Sequence, residues 1–250
     1  MKFCRRVCYV LFIALVSFRG DQTVRAAEPS AGEQFAKLLS DSWEYRLRES
    51  PLFATSTGDH RYDDKLPQVS LADEVRQNAD RQKFRARLEA IDRTALEATD
   101  QTNYDIFERN LRDGDREYEF QAYLMPISDR WGFHIEFPEL PRDVPLSTTR
   151  DYENYISRLN GFSSYAAGHM ELMREGVRRG VTVPSVIMQR YNEPLEAQIV
   201  SDPEKSLLYK PFQKFPEGVP ESEHDRLRVA GRKAIAESVV PGYQQFLGFM

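Results

Sequence analysis

Glu49-Ser50-Pro51-Leu52-Phe53-Ala54-Thr55-Ser56-Thr57-Gly58-Asp59-His60-Arg61-Tyr62-Asp63-Asp64-Lys65-Leu66-Pro67 is the stretch on which the reading of this chain turns. It joins two amphipathic helical segments and sets a turn former, charges and one aromatic side by side from Gly58 to Tyr62. Such a string serves either as a plain connector or as part of a binding wall.

On its N-terminal side, Phe35, Leu38, Leu39, Trp43 and Leu47 recur at steps of three and four, one face of a helix. Ser50-Pro51 ends that helix, because a residue before proline avoids the helical region. On the other side Ser70 with Asp73 reads as a helix start. Val75, Ala79, Phe84, Leu88 and Ile91 then form the next apolar stripe, among dense charges that read as a solvated face. A third helix begins near Thr99 and carries Tyr104, Phe107, Leu111 and Tyr118, with Gly114 marking a close crossing.

From Ala122 to Ser147 the period vanishes. Pro126, Pro138, Pro141 and Pro145 read as breakers and Trp131 to Phe137 as extended, a long connection of the kind that often carries function. Thr148 with Asp151 opens a fourth helix that runs to Arg178-Arg179-Gly180, where cations and a glycine suit a helix end. Gly161 and Gly168 are expected to bend it. A further helix from Pro184 is broken near Pro194, a loop with Pro211, Pro216 and Pro220 follows, and a last helix from Ser222 is kinked at Pro241. Its end, Phe246-Leu247-Gly248-Phe249-Met250, is expected to lie bare unless a partner covers it. The fold expected is mostly α, an array of about six helices with long Pro-rich loops.

The 250 residues are 41% hydrophobic and 29% charged, ordinary for a chain that buries a core. Residues 1–26 stand apart. Lys2, Arg5 and Arg6 precede the apolar run Val7 to Phe18, and Val24-Arg25-Ala26 supplies small residues at a cleavage point, the layout of a secretory signal. The run is shorter than the roughly 18 residues a membrane span needs. The expectation is export to the periplasm or beyond, with no membrane attachment after cleavage. Cys4 and Cys8 both fall in the signal, so residues 27–250 hold no thiol chemistry. Those residues carry 29 basic against 38 acidic side chains, a net charge of −9 that disfavours nucleic acid as a partner.

No two of His60, His134, His169 and His224 stand four apart, the spacing at which a helix offers two imidazoles to one zinc ion. There is no G-x-S-x-G elbow, and Asp63-Asp64 reads as a solvated loop pair. Neither a catalytic residue nor a metal ligand is assigned, and His169 reads as a core or boundary side chain.

Several phrases nevertheless match a family in order. They are Phe53-Ala54-Thr55 with Gly58-Asp59-His60-Arg61-Tyr62-Asp63-Asp64, then Leu88-Glu89-Ala90-Ile91-Asp92 and Asp151-Tyr152-Glu153-Asn154-Tyr155. Arg174-Glu175-Gly176, Gly180-Val181-Thr182-Val183-Pro184 and Leu208-Tyr209-Lys210-Pro211-Phe212 follow. From about Gln34 to Met250 the chain resembles the bacterial family named domain of unknown function 885. The resemblance implies mostly helical, gluzincin-like zinc peptidases similar to thermostable carboxypeptidases and angiotensin-converting-enzyme-like proteins. It implies a His-Glu-x-x-x-x-His metal segment in a later half, which this sequence does not contain. Residues 27–250 are accordingly expected to be a partial domain, one wall of a peptide channel. The implied partners are a peptide and the remaining half of the same protein, and zinc is implied for the whole family with no cofactor assigned to these residues. His60, Arg61 and Tyr62 are the expected substrate-facing side chains, with Arg61 gripping a peptide carboxylate. The alternative is a non-catalytic exported helical protein or peptide-binding module.

Overall fold

The computed structural model describes residues 28–189 and 191–250. The signal read at 1–26 lies outside the described residues. Among those described there is no β-strand, only an isolated antiparallel bridge between Ile127 and Gly132. The mostly α expectation holds.

Helix α1 (Ala31–Glu49) is opened by Ser30, which accepts from the Glu33 amide while the Glu33 carboxylate accepts from the Ser30 amide. Its buried Phe35 and Leu38 meet Leu88 of α3 (Leu71–Glu89) and Leu111 of α4 (Ala98–Glu119), a small core completed by Ile91 and Leu96. Ser70 caps α3, in keeping with its spacing from Asp73. Val75 of the expected stripe instead faces solvent, more than half exposed. Asp115 of α4 accepts from Arg81, Gln82 and Arg85 of α3, and Gly114 gives Arg81 the room to lie across the pair.

Residues 133–143, within the connection expected to be irregular and extended, are helical instead. Phe133–Glu136 (α5), a 3-10 turn at Phe137–Glu139 and Leu140–Asp143 (α6) follow one another closely. Pro138 and Pro141 stand at the opening positions of the two turns they join, where a missing N–H costs nothing.

The 31-residue α7 (Thr149–Arg179) is the axis of the larger core, capped by the Thr148–Asp151 pair and closed by Gly180 at φ 74°. Gly161 and Gly168 do not break it. A Cβ at Gly168 would lie 2.2 Å from the Val69 carbonyl oxygen, and one at Gly161 3.3 Å from Leu66. These glycines admit the strap of residues 64–69, which lies along α7. Ser157 Oγ fastens the strap by donating to the Asp64 carbonyl at 2.8 Å.

Short α8 (Asn192–Glu196) and α9 (Lys210–Gln213) lead to α10 (Glu221–Ala234), a π-turn at Ile235–Val239 and α11 (Val240–Phe249). The extra residue of the π-turn absorbs Pro241, and Ser238 there donates to the Asn160 carbonyl and accepts from the Ser163 amide. The apolar end is not bare. Phe246 is fully buried against Phe133, and Leu247, Phe249 and Met250 pack partly against the core.

Candidate functional site

The quoted stretch is built around one side chain that its own residues do not include. Pro51–Ser56 form helix α2 and His60–Tyr62 a 3-10 turn, and together with Lys65 they close on Arg158 of α7. Arg158 is 1% exposed and is the largest fully buried side chain described. Its Nε donates to the Lys65 carbonyl at 2.9 Å. Its Nη2 donates to the Thr55 hydroxyl at 2.6 Å and to the Pro51 and Tyr62 carbonyls at 3.2 Å each. Nη1 is buried with no hydrogen-bond partner.

A chain of contacts continues outward. Thr55 Oγ1 donates to Asp63 Oδ1 at 2.6 Å, and His60 Nδ1 lies 2.9 Å from Asp63 Oδ2, the geometry of an N–H on a carboxylate. Asp63 is buried, whereas the His60 ring is more than half exposed. No described carboxylate oxygen lies within 4 Å of the guanidinium. Burial pulls the Arg158 pKa down, opposed by the more distant charges of Asp63 and Asp64. A buried cation held only by neutral acceptors is costly, and proteins normally pair such a charge directly.

Arg158 also lines a cavity of about 220 Å³ between α2, the α5–α6 segment and α7. Leu52, Phe133, Phe137, Leu140 and Val144 make most of its wall, Thr55 and Tyr165 add hydroxyls, and the exposed Glu136 and Asp143 stand at its rim. Arg158 and Tyr165 are two turns apart on one face of α7. Burial, with Glu136 adding, pushes the Tyr165 phenol up to about 12.

Behind the cavity lie two histidines. His169 stacks on Phe133 with ring centroids 4.6 Å apart, and buried His134 packs edge-on against Phe246. Both nitrogens of His169 and Nδ1 of His134 are buried without partners. Burial lowers each to about 4, and for His169 the neighbouring His134 adds to the effect.

Of the three side chains expected to face substrate, none lines the cavity. Tyr62 gives its carbonyl to Arg158 while its ring lies beneath Arg61 and Lys65. His60 reaches Arg158 only through Asp63 and Thr55. Arg61 is exposed and already gripped by Glu44 and Asp59, at 2.8 Å and 2.9 Å. Arg158, absent from the sequence expectations, has a signal of its own: it falls three after Tyr155 and four before Phe162, on the apolar face of its helix. A charge there must be buried.

The donors present do not fit a zinc ion. Among the described residues no group of three or more His, Asp or Glu side chains is placed to hold a metal. One ring nitrogen of His60 is engaged by Asp63 and one of His224 by the Val219 carbonyl. No helix of the described residues is long and apolar enough to cross a membrane.

This helical array, with its buried arginine facing a cavity, has recognisable relatives. The chain belongs to the family described as bacterial protein of unknown function, DUF885, which matches residues 51–250. It is similar in structure to "the putative lipoprotein from Colwellia psychrerythraea", with a TM-score of 0.76 at 16% identity over 88% of this chain. At that identity the likeness speaks for the fold. The match takes in 41% of that protein, so this chain spans less than half of its length. No curated protein matches.

Proposed function

We propose that this chain is the peptide-facing helical wall of an exported, metallopeptidase-like protein, and that the Arg158 cavity is where a peptide seats. The observation that carries the reading is the cavity itself: mostly apolar walls, a few convergent polar groups and one buried guanidinium with a donor to spare. Export follows from the signal layout of residues 1–26 and accords with the lipoprotein description of the structural neighbour. No hydrolytic or zinc-binding role is assigned to the present residues. The role of the present residues is to bind and orient the peptide.

Within this reading His60 and Tyr62 act on substrate through Arg158, by fixing where the guanidinium points. Arg61 pins the loop to α1 through Glu44. A peptide-binding module without catalysis would use the same cavity; turnover of the bound peptide separates the two.

Calorimetric titration of residues 27–250 with short apolar peptides tests the proposal. Saturable one-to-one binding is expected. Absence of heat across a series of di- to tetrapeptides would contradict it.

A further inference from the structure

We infer that the cleft between α3, α4 and the connection that follows them binds an alkylammonium ion, a positively charged nitrogen carrying methyl or methylene groups. The cleft holds about 420 Å³ and shares no lining residue with the Arg158 cavity. Its aromatic walls come from three elements. Tyr118 of α4 and Tyr123 of a 3-10 turn at Ala122–Leu124 stack with ring centroids 5.5 Å apart. Trp131, half exposed, is set beside them by a tight turn. Its carbonyl accepts from the Ser128 amide at 2.9 Å, and its own amide donates to Ser128 Oγ at 3.2 Å. These rings stay open to solvent and the core does not use them.

Two carboxylates share the cleft with the rings. Asp73, Asp80 and Asp115 of the same two helices are each engaged by arginine or lysine. Glu74 of α3 and Glu117 of α4 line the cleft and make no hydrogen bond or ion pair among the described residues. Glu74 is half-buried, and burial raises its carboxyl above the ordinary value, opposed by the charge of Arg81. Arg81 also lines the cleft but is held elsewhere: Nε donates to Asp115 and Nη2 to Asn78, each at 2.9 Å.

The chemistry of these walls selects the ligand. A divalent metal needs several oxygen ligands, which the rings do not offer. A neutral ligand fills the aromatic surface and leaves both carboxylates unpaired. An alkylammonium ion meets both demands, with its polarised C–H groups on the ring faces and its charge beside Glu74 and Glu117.

Trp43 and Trp131 are the two tryptophans of the chain, so Trp43→Phe leaves Trp131 as the reporter of the cleft. At low salt this variant is titrated with choline, with n-butylammonium, and with the alcohol in which a tert-butyl group replaces choline's trimethylammonium. A saturable change in Trp131 fluorescence is expected with at least one cation, about tenfold tighter than with the alcohol. The tighter cation shows whether the head group is methylated or primary. An equal response to the alcohol would show an apolar cleft without charge recognition and overturn the inference, as would no saturable response to either cation. Glu74→Gln in the same background, with native helix content by circular dichroism, is expected to weaken cation binding several-fold. Glu117→Gln, at an exposed position, serves the same purpose if Glu74→Gln does not fold. Unchanged affinity in the folded variant would overturn the role of the carboxylates.

Discussion

The Arg158 guanidinium donates to the Thr55 hydroxyl at 2.6 Å across 103 positions of sequence, and Thr55 directs its own proton to Asp63 at the same distance. One hydroxyl thus ties a buried cation to a buried anion without letting them touch. The charge of Arg158 is thereby partly compensated without a direct ion pair.

Thr55→Val removes that link at nearly constant volume. It strips Arg158 of its shortest acceptor and Asp63 of a donor, both in buried surroundings. A loss of about 1–3 kcal/mol in unfolding free energy is expected, measured by urea titration. Thr55→Ser, which keeps the hydroxyl, is expected to recover most of it. Equal losses in the two variants would show that packing, not the hydrogen-bond chain, holds the site.

The strap of residues 64–69 supplies a second check. Gly168→Ala places a methyl against the Val69 carbonyl and must push the strap off α7, which is expected to cost roughly 1–3 kcal/mol. Gly32→Ala makes the same chemical change near the start of α1 with nothing within 4 Å, and is expected to raise stability by up to about 1 kcal/mol. Similar effects of the two would remove the close approach as the reason for glycine at 168.

Acid should unfold the protein through its buried imidazoles. His134 and His169 are neutral in the fold, with pKa lowered from 6.5 to about 4 by burial. The unfolded chain therefore binds more protons between those values, and stability present above about pH 6.5 is lost as the pH falls towards 4. For His134, which is 3% exposed, such a difference corresponds to roughly 3 kcal/mol. His134→Phe is expected to flatten the fall of unfolding free energy over this window. An unchanged pH profile would show that the carboxylates carry the acid response.

Arg61→Ala tests the division of labour between the two arginines of the site. Arg61 sits at the surface in the grip of Glu44 and Asp59, so its removal is expected to leave peptide affinity within twofold. A tenfold loss of affinity would return Arg61 to the substrate-contacting role that its place in the quoted stretch suggests.

Much of this architecture is legible in the sequence, for definite reasons. Ser70 and Thr148 announce their helices because a hydroxyl three residues before an acid matches the geometry of the first turn. Gly180 announces an end because its left-handed conformation suits glycine. The segment from Phe133 to Asp143 reads as extended although it is helical, because proline stops a helix only from within. Pro138 and Pro141 stand at helix starts, which local sequence does not distinguish from breaks. The site is half legible. The quoted stretch stands out by its composition, yet its meaning lies in Arg158, about a hundred residues away, and no local pattern pairs the two. Gly161 and Gly168 likewise read as weak points until the strap that occupies them is seen.

The central claim is that a peptide occupies the cavity between α2, α6 and α7. Photo-crosslinking tests it most directly, using a short peptide whose last residue carries a diazirine and mapping the adducts by mass spectrometry. Labelling of Leu52, Phe137, Leu140 or Val144, abolished by excess unlabelled peptide, is the expected result. Adducts confined to other surfaces, or labelling that unlabelled peptide does not compete away, would contradict it.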